Sequence, residues 1–357
     1  MLVNLAVGLS KAGCRPIVGV FRDSRAQHLE VARHASQRGV PVEIVHCKGR
    51  WDGQAVARVR RLLQERDVTV LHTHGYKADV IGCAAAWPKR TALVATCHNW
   101  PDPRLSMRAY AVLDRLVLRL FDEVTAASEP VAVILRRWGM PRVQAMPNGV
   151  EMARFRDARP TLRHLMPAGC DRIVGFAGRM VPEKGGTTFL RCARKIVDAR
   201  PATAFLLAGD GPCRQEWEAL AAGLGLARNV VFAGVRDDMP GVYASLDMLV
   251  LPSFLEATPM CLLEALAASL PVVATRVGSV PDVVIPDVTG MLVEPGDADG
   301  LAAAVGRLLQ DPDAGRRMAL RGRAHVERRY SAESTAEGYA ALYERAVSRR
   351  TGLYRTS

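Results

Sequence analysis

Lysine is scarce in this chain: of 48 basic residues among 357, lysine occupies only positions 11, 48, 77, 89, 184 and 195. The positive charge is therefore carried almost entirely by arginine, and with 36 acidic residues it leaves a formal net charge of +12. The eight cysteines, at 14, 47, 83, 97, 170, 192, 213 and 261, include no C-x-x-C pair and no local cluster with histidine. That spacing excludes a zinc module and a disulfide framework and reads as buried thiols in a reducing compartment. No apolar run reaches the length needed to span a bilayer, and the amino terminus lacks a basic segment before an apolar core, so neither a membrane span nor a secretion signal is indicated. Internal repeats of solenoid period are absent, as are G-x-x-x-x-G-K-[ST] and a G-x-G-x-x-G after a strand. Helix-turn-helix, zinc-finger and RNP signatures are missing too, so net charge alone does not make this a nucleic-acid binder.

What is present is a chain able to bury large cores, with 49% hydrophobic and 24% charged residues. Its length suits two domains better than one. The first part alternates helical and strand patterns. Leu2 to Ala12, Ser24 to Arg38, Gln54 to Arg66 and Arg104 to Phe121 have helical spacing. Pro16 to Phe21, Val42 to Val45, Val68 to His72, Ala92 to Cys97, Glu123 to Ala126 and Val143 to Met146 are short apolar or β-branched runs. A linker is expected over the Arg- and Pro-rich stretch Met152 to Asp171. A second rhythm follows: strands at Ile173 to Ala177, Ala204 to Ala208, Asn229 to Ala233, Met248 to Pro252 and Pro271 to Thr275, with a helix over Gly185 to Asp198. Such βαβ alternation implies an α/β protein of two doubly wound parallel sheets, and in these the ligand sites lie beyond the carboxyl ends of the strands. The expected division is 1–152, 170–335 and a terminal helix over 336–357.

Four loops after strands carry the chemistry. Gly178-Arg179-Met180-Val181-Pro182-Glu183-Lys184-Gly185 sets two cations before a helix whose first N–H groups favour anions, a combination suited to a diphosphate. Ala208-Gly209-Asp210-Gly211-Pro212 and Ala233-Gly234-Val235-Arg236 are glycine turns that let a ligand approach backbone. In Pro252-Ser253-Phe254-Leu255-Glu256-Ala257-Thr258-Pro259-Met260-Cys261-Leu262-Leu263-Glu264, Thr258 and Pro259 suit the cap and first position of a helix. Glu256 then lies in the loop, Glu264 lies in the helix, and N–H groups at 260 to 262 are offered to a phosphate. Two D-x-D triplets, Asp297-Ala298-Asp299 and Asp311-Pro312-Asp313, read as helix caps rather than metal ligands. Arg104, Arg108, Arg115 and Arg119 share one helical face beside Leu105, Val112, Leu116 and Leu120, a pattern compatible with an anionic membrane surface.

G-R-x-x-x-x-K-G at 178–185, G-D-G-P at 209–212, E-x7-E from Glu256 to Glu264, then Pro271-Val272-Val273-Ala274-Thr275 and Gly278, resemble in order and spacing the retaining family 4 glycosyltransferases of GT-B fold. Met146-Pro147-Asn148-Gly149-Val150 and Thr289-Gly290-Met291-Leu292-Val293 extend the resemblance to nearly the whole chain. It implies two Rossmann-like domains facing across a cleft, a terminal helix crossing back to the first, and a nucleoside diphosphate sugar as co-substrate without metal or further cofactor. It gives Arg179 and Lys184 the donor diphosphate, Glu264 the ribose and Glu256 the hydroxyls of the transferred sugar. Gly178, Gly209, Val235, Thr258, Pro259, Met260, Cys261 and Leu262 would line the donor pocket, and His98 would stand near the reacting sugar. The implied acceptor is a glycan or a lipid-linked molecule of envelope or surface polysaccharide assembly, handled in the cytoplasm or on the inner membrane face. Family members usually place a strand and a glycine-rich loop before the helix that Leu2 to Ala12 resembles. The first half is therefore expected to lack both, with a segment upstream of Met1 supplying them in the natural protein; the other reading is a rearranged half that binds donor without transfer.

Overall fold

The structure, a computed structural model, describes residues 1–23, 29–49, 52–87, 91–98, 105–140 and 142–351. Unit 1 comprises Met1–Gly149 and Ala332–Ser357; unit 2 comprises Val150–Ser331. Unit 1 runs α1 (Leu2–Lys11), β1 (Val18–Asp23), α2 (Leu29–Gln37), β2 (Val42–Cys47), α3 (Gly53–Glu65), β3 (Val70–His74), α4 (Tyr76–Ala86), β4 (Ala92–Cys97), α5 (Leu105–Leu118), β5 (Glu123–Ala126), α6 (Glu129–Arg137) and β6 (Val143–Ala145). Unit 2 runs α7 (Ala153–Arg156), β7 (Arg172–Ala177), α8 (Gly186–Ala199), β8 (Thr203–Ala208), α9 (Arg214–Gly223), β9 (Val230–Gly234), α10 (Met239–Ala244), β10 (Met248–Leu251), α11 (Met260–Ala267), β11 (Val272–Thr275), α12 (Val280–Val283), β12 (Met291–Val293), α13 (Ala298–Gln310) and α14 (Pro312–Tyr330). The chain then returns to unit 1 as α15 (Ala332–Arg350).

The division differs from the expected one. The stretch over 152–171 is not a free linker: Met152, Phe155 and Leu162 are buried in the unit 2 core with Tyr243, Leu249 and Leu266. The N–H groups of Thr161 and Leu162 both donate to Ser245 Oγ at 2.9 Å. Arginines and prolines at the surface of this stretch masked the few apolar anchors that tie it down. The return to unit 1 comes at Ala332, before the expected 336, and α15 packs on α1 and β4. The helix α4 has no counterpart in the sequence reading because its small apolar residues leave no polar face to mark a stripe.

All paired strands are parallel. Unit 2 holds one six-stranded sheet in the order β12-β11-β10-β7-β8-β9. Every residue of β8, β10 and β11 is buried, as expected of strands covered on both faces. Chain order runs outward from β7 to β9 and then restarts on the other side of β7 with β10, which makes the β7–β10 junction the topological switch point. In unit 1 the strands form two pieces, β1-β2 and β3-β4-β5-β6. Among the described residues no strand pairs with the second edge of β1 or of β3. Helices are nevertheless shared: α1 places Val3 and Ala6 in the core with Val18 and Val20 of β1, and Leu5 and Leu9 with Ala92 and Val94 of β4.

The D-x-D triplets are caps. Asp297 accepts from Gly300 N–H at 2.8 Å at the start of α13, and Asp311 accepts from Ala314 N–H at 2.9 Å at the start of α14.

A buried acid pair joins α4 to α5: Asp79 is 2% and Asp114 1% exposed. Burial pushes the Asp79 carboxyl well above its usual range, with the neighbouring Asp114 adding to the rise, and burial pushes Asp114 up to about 6. Two carboxyls this close and this dry share a proton. The folded state thus holds more protons than the unfolded chain above the ordinary aspartate pKa, and stability falls as pH rises from about 4 through 6. Asp114→Asn should remove the part of this slope that belongs to Asp114, leave the part that burial gives Asp79, and stabilise unit 1 by about 1–3 kcal/mol at pH 8. Thermal melts of both proteins from pH 5 to 8 check it, and parallel curves would refute the shared proton.

Candidate functional site

The switch point of unit 2 is where its glycine loops meet. Gly178 N–H donates to Ala208 O at 3.0 Å, Met180 N–H to Asp210 O at 2.8 Å and Gly209 N–H to Gly234 O at 2.8 Å, so the loops after β7, β8 and β9 are laced backbone to backbone. Two of these glycines are required by space. At Gly209 (φ +136°) a Cβ would lie 1.9 Å from Gly178 O, and at Gly278 (φ +51°) 1.8 Å from Glu256 O. On the β10 side, Phe254 N–H donates to Glu183 O at 2.7 Å. The loop after β10 thereby packs on the 178–185 loop.

This lacing brings most of the expected donor residues together. Lys184 Nζ lies 2.6 Å from Glu256 Oε1, and the same oxygen accepts from Ser253 Oγ at 2.7 Å. Glu256 is 8% exposed, so this loop carboxylate is buried and held. Its partner is the cation expected to serve the diphosphate, which ties the two roles to one point. Arg179 is exposed and makes no ion pair among the described residues. Glu264, half-buried on α11, accepts from Tyr243 Oη at 3.0 Å. Tyr243 is 1% exposed, and its burial, with Glu264 next, raises the phenol well above its ordinary pKa. It is a fixed donor.

The start of α11 differs from expectation by one residue. Pro259, not Thr258, is the cap; Thr258 Oγ1 lies 3.5 Å from Ser279 Oγ, and Ser279 Oγ also bonds Ala257 O. Leu262 N–H donates to Pro259 O at 3.1 Å, whereas among the described residues the N–H groups of Met260 and Cys261 have no backbone acceptor. Burial pushes the Cys261 thiol up to about 12, so it stays protonated and unreactive. Val235, beyond Gly234, is 70% exposed at the edge of the laced loops. A separate cavity of about 600 Å³ in unit 2 opens at the amino ends of β7–β9, around Cys170, Thr203 and Asn229.

In unit 1, His98 follows β4, and its Nε2 lies 3.0 Å from Nδ1 of His74 at the end of β3. Burial lowers the His98 imidazole to about 4, so it is neutral at pH 7. Sequence reading missed His74, Ser253 and Tyr243. Only His74 left a signal, as a histidine at the carboxyl end of a parallel strand; the other two act through packing that spacing does not encode. Of the arginine face on α5, Arg104 and the side chain of Arg108 lie outside the described residues. Arg115 turns its guanidinium over the Trp138 ring, 3.0 Å from the centroid, with a buried Nε. It therefore belongs to a cation–π contact rather than to a free basic face, while Arg119 is exposed. Val112, Leu116 and Leu120, one helical turn apart, are each more than half exposed.

Two family profiles tile the chain: "Glycosyltransferase Family 4" matches residues 1–154 and "Glycosyl transferases group 1" matches residues 171–311. The chain belongs to the family 4 glycosyltransferases. Among curated relatives, the 2-deoxystreptamine glucosyltransferase of Streptomyces kanamyceticus is 32% identical over 62% of this chain and 55% of its own length. A GDP-mannose-dependent phosphatidylinositol monomannoside mannosyltransferase of Mycolicibacterium smegmatis is 33% identical over 51% of this chain and 50% of its own. The chain thus spans about half the length of these relatives. The D-inositol 3-phosphate glycosyltransferase of Acidothermus cellulolyticus aligns at 29% identity over 83% of this chain and 71% of its own length. The crystal structure of Anabaena Alr3699/HepE with UDP matches at TM-score 0.80 and 21% identity, covering 96% of each chain. Sucrose-phosphate synthase of Thermosynechococcus elongatus matches at TM-score 0.76 and 22% identity, covering 97% of this chain and 92% of that one. These structures establish a GT-B fold, two Rossmann-like halves with a helical carboxyl terminus.

Proposed function

We propose that this family 4 glycosyltransferase moves a sugar from a nucleoside diphosphate sugar to a glycan or lipid-linked acceptor, with retention of anomeric configuration. The observation that carries the reading is the convergence of Lys184, Glu256 and the laced glycine loops at the switch point of unit 2. Breaking a sugar–phosphate bond builds positive charge on the sugar and negative charge on the departing diphosphate. Arg179, Lys184 and the N–H groups of Met260 and Cys261 are assigned to the diphosphate, where fixed donors stabilise charge without reorganising. These cations do what a metal does elsewhere, so the reading assigns no metal and no cofactor. Glu264, oriented by Tyr243, is assigned to the ribose, Glu256 to hydroxyls of the transferred sugar, and His98 in unit 1 to the region of the reacting sugar.

Relatives that act on phosphatidylinositol mannosides or inositol phosphate support an acceptor of envelope-glycolipid or polysaccharide type, handled at the cytoplasmic face of the membrane. No helix among the described residues is long and apolar enough to cross a membrane. The exposed stripe Val112, Leu116 and Leu120, with Arg119 beside it, suits peripheral contact with anionic lipid. Donor binding without transfer is the second reading, and the divided sheet of unit 1 is what favours it.

A thermal-shift panel of UDP, GDP and ADP sugars tests the donor site. One nucleotide class should stabilise the protein, by about 2–3 kcal/mol at a hundredfold excess over its Kd, and Arg179→Ala should abolish most of that shift. Stabilisation by none of them refutes the assignment. Stabilisation without transfer to any glycan or lipid acceptor selects the binding-only reading.

A further inference from the structure

We propose that His74 is the positioning residue of His98, and that α15 anchors the wall behind it through Tyr339 and Tyr343. The inference rests on the reading above that His98 serves the reacting sugar, and it names what holds that imidazole in one orientation and one tautomer.

His74 closes β3 and His98 lies one residue beyond the end of β4, the neighbouring parallel strand, so the sheet itself delivers both rings to one edge. Nδ1 of His74 and Nε2 of His98 are 3.0 Å apart, with ring planes 17° from parallel. A hydrogen bond between two neutral imidazoles needs one N–H and one lone pair. Whichever ring donates, the bond commits one nitrogen of His98 and thereby fixes whether Nδ1 of His98 is a donor or an acceptor. An unpaired imidazole in the same place would exchange between tautomers and rotate about its side-chain bonds.

His74 is itself buttressed. His72, two residues earlier on β3, points to the same side, with ring centroids 4.3 Å apart. Both nitrogens of His72 are engaged: Nδ1 lies 2.8 Å from Tyr343 Oη and Nε2 lies 2.7 Å from Thr96 Oγ1. Thr96 Oγ1 in turn meets Thr125 Oγ1 at 2.7 Å and Tyr339 Oη at 2.9 Å. His72 therefore has no nitrogen left to compete for the proton that His74 and His98 share. Tyr339 and Tyr343 stand one turn apart on α15, so the last helix of the chain closes the network. Burial lowers His72 to about 3 and holds His74 well below its ordinary range. All three rings are neutral at pH 7, the state in which a single shared proton defines the tautomers.

The test uses the full chain as wild type, His74→Leu and His74→Asn, with transfer kinetics and histidine ¹⁵N NMR. Asparagine can offer either an N–H or a carbonyl oxygen near the position of the imidazole Nδ1; leucine offers neither. His74→Leu should lower kcat by about 10- to 100-fold with the donor KM nearly unchanged, and His74→Asn should recover most of it. In wild type the two ring nitrogens of His98 should resonate far apart, as in a fixed tautomer, and should move toward their average in His74→Leu. Unchanged His98 shifts in His74→Leu overturn the proposal, as does an equal loss in both variants with both folded by thermal melt. Absence of transfer by wild type with every donor overturns the transferase reading instead, and the NMR comparison then still decides whether His74 fixes the His98 ring.

Discussion

Lys184→Met is expected to lower kcat/KM for sugar transfer by about 100-fold or more, the range seen when one preorganised donor is removed from a developing oxyanion. The side chain sits where two demands meet. Its ammonium is 2.6 Å from the buried Glu256 carboxylate, and it comes from the loop that opens α8 at the switch point. Removing it deletes a cation assigned to the leaving diphosphate and leaves Glu256 with Ser253 as its remaining partner on Oε1. The second effect should destabilise unit 2 by about 1–3 kcal/mol, since a buried carboxylate that loses its ion pair keeps its desolvation cost. The double variant Lys184→Met with Glu256→Gln separates the two. It should regain thermal stability because the uncompensated charge is gone, and it should not regain transfer. Initial rates and melting curves on the three proteins check this; wild-type kcat/KM in Lys184→Met would remove Lys184 from the mechanism.

Gly209→Ala is expected to cost about 2–4 kcal/mol of stability and to abolish donor binding at ordinary concentrations. One methyl group is enough because the backbone there has φ +136° and the new carbon would stand 1.9 Å from Gly178 O. The 178 and 209 loops cannot both stay in place, and the loops after β7 and β9 are hydrogen-bonded through this pair. Gly223→Ala supplies the contrast. Nothing lies within 4 Å of a Cβ there and its φ is not positive, so alanine at that helical position should be neutral or slightly stabilising. Denaturation of both variants, with nucleotide-induced thermal shifts, decides it. Equal stability of the two would show that the loops are not laced as described.

Much of the site was legible in sequence because the ligand-bearing loops of a parallel sheet fall at fixed places, after the strands. The runs at 173–177, 204–208 and 248–252 announce β7, β8 and β10 through their β-branched, Leu-rich or small apolar content, and Gly178 and Gly209 mark where the first two loops begin. The caps Asp297 and Asp311 were legible for a similar local reason, since an aspartate immediately before a helical pattern has one obvious hydrogen-bond target. Local chemistry also explains the errors. Thr258 looked like a cap because threonine before proline is a good one, yet α11 begins one residue later and Pro259 takes the cap position. The stretch over 152–171 looked like a linker because its few apolar anchors are diluted by arginine, and burial depends on where Leu162 and Phe155 land.

By itself, the sequence determined the fold class and the family, because each depends on short-range order: alternation, punctuation and spacing along one chain. Only the tertiary structure decided how its residues are used. It paired Lys184 with Glu256 across 72 positions of sequence. It set Tyr243 against Glu264, placed Arg115 over Trp138, and joined His74 to His98 with α15 behind them. The physical reason is the same in each case. A hydrogen bond or ion pair is fixed by which loops and strands become neighbours in the sheet, and that adjacency follows from the packing of two cores rather than from any local pattern.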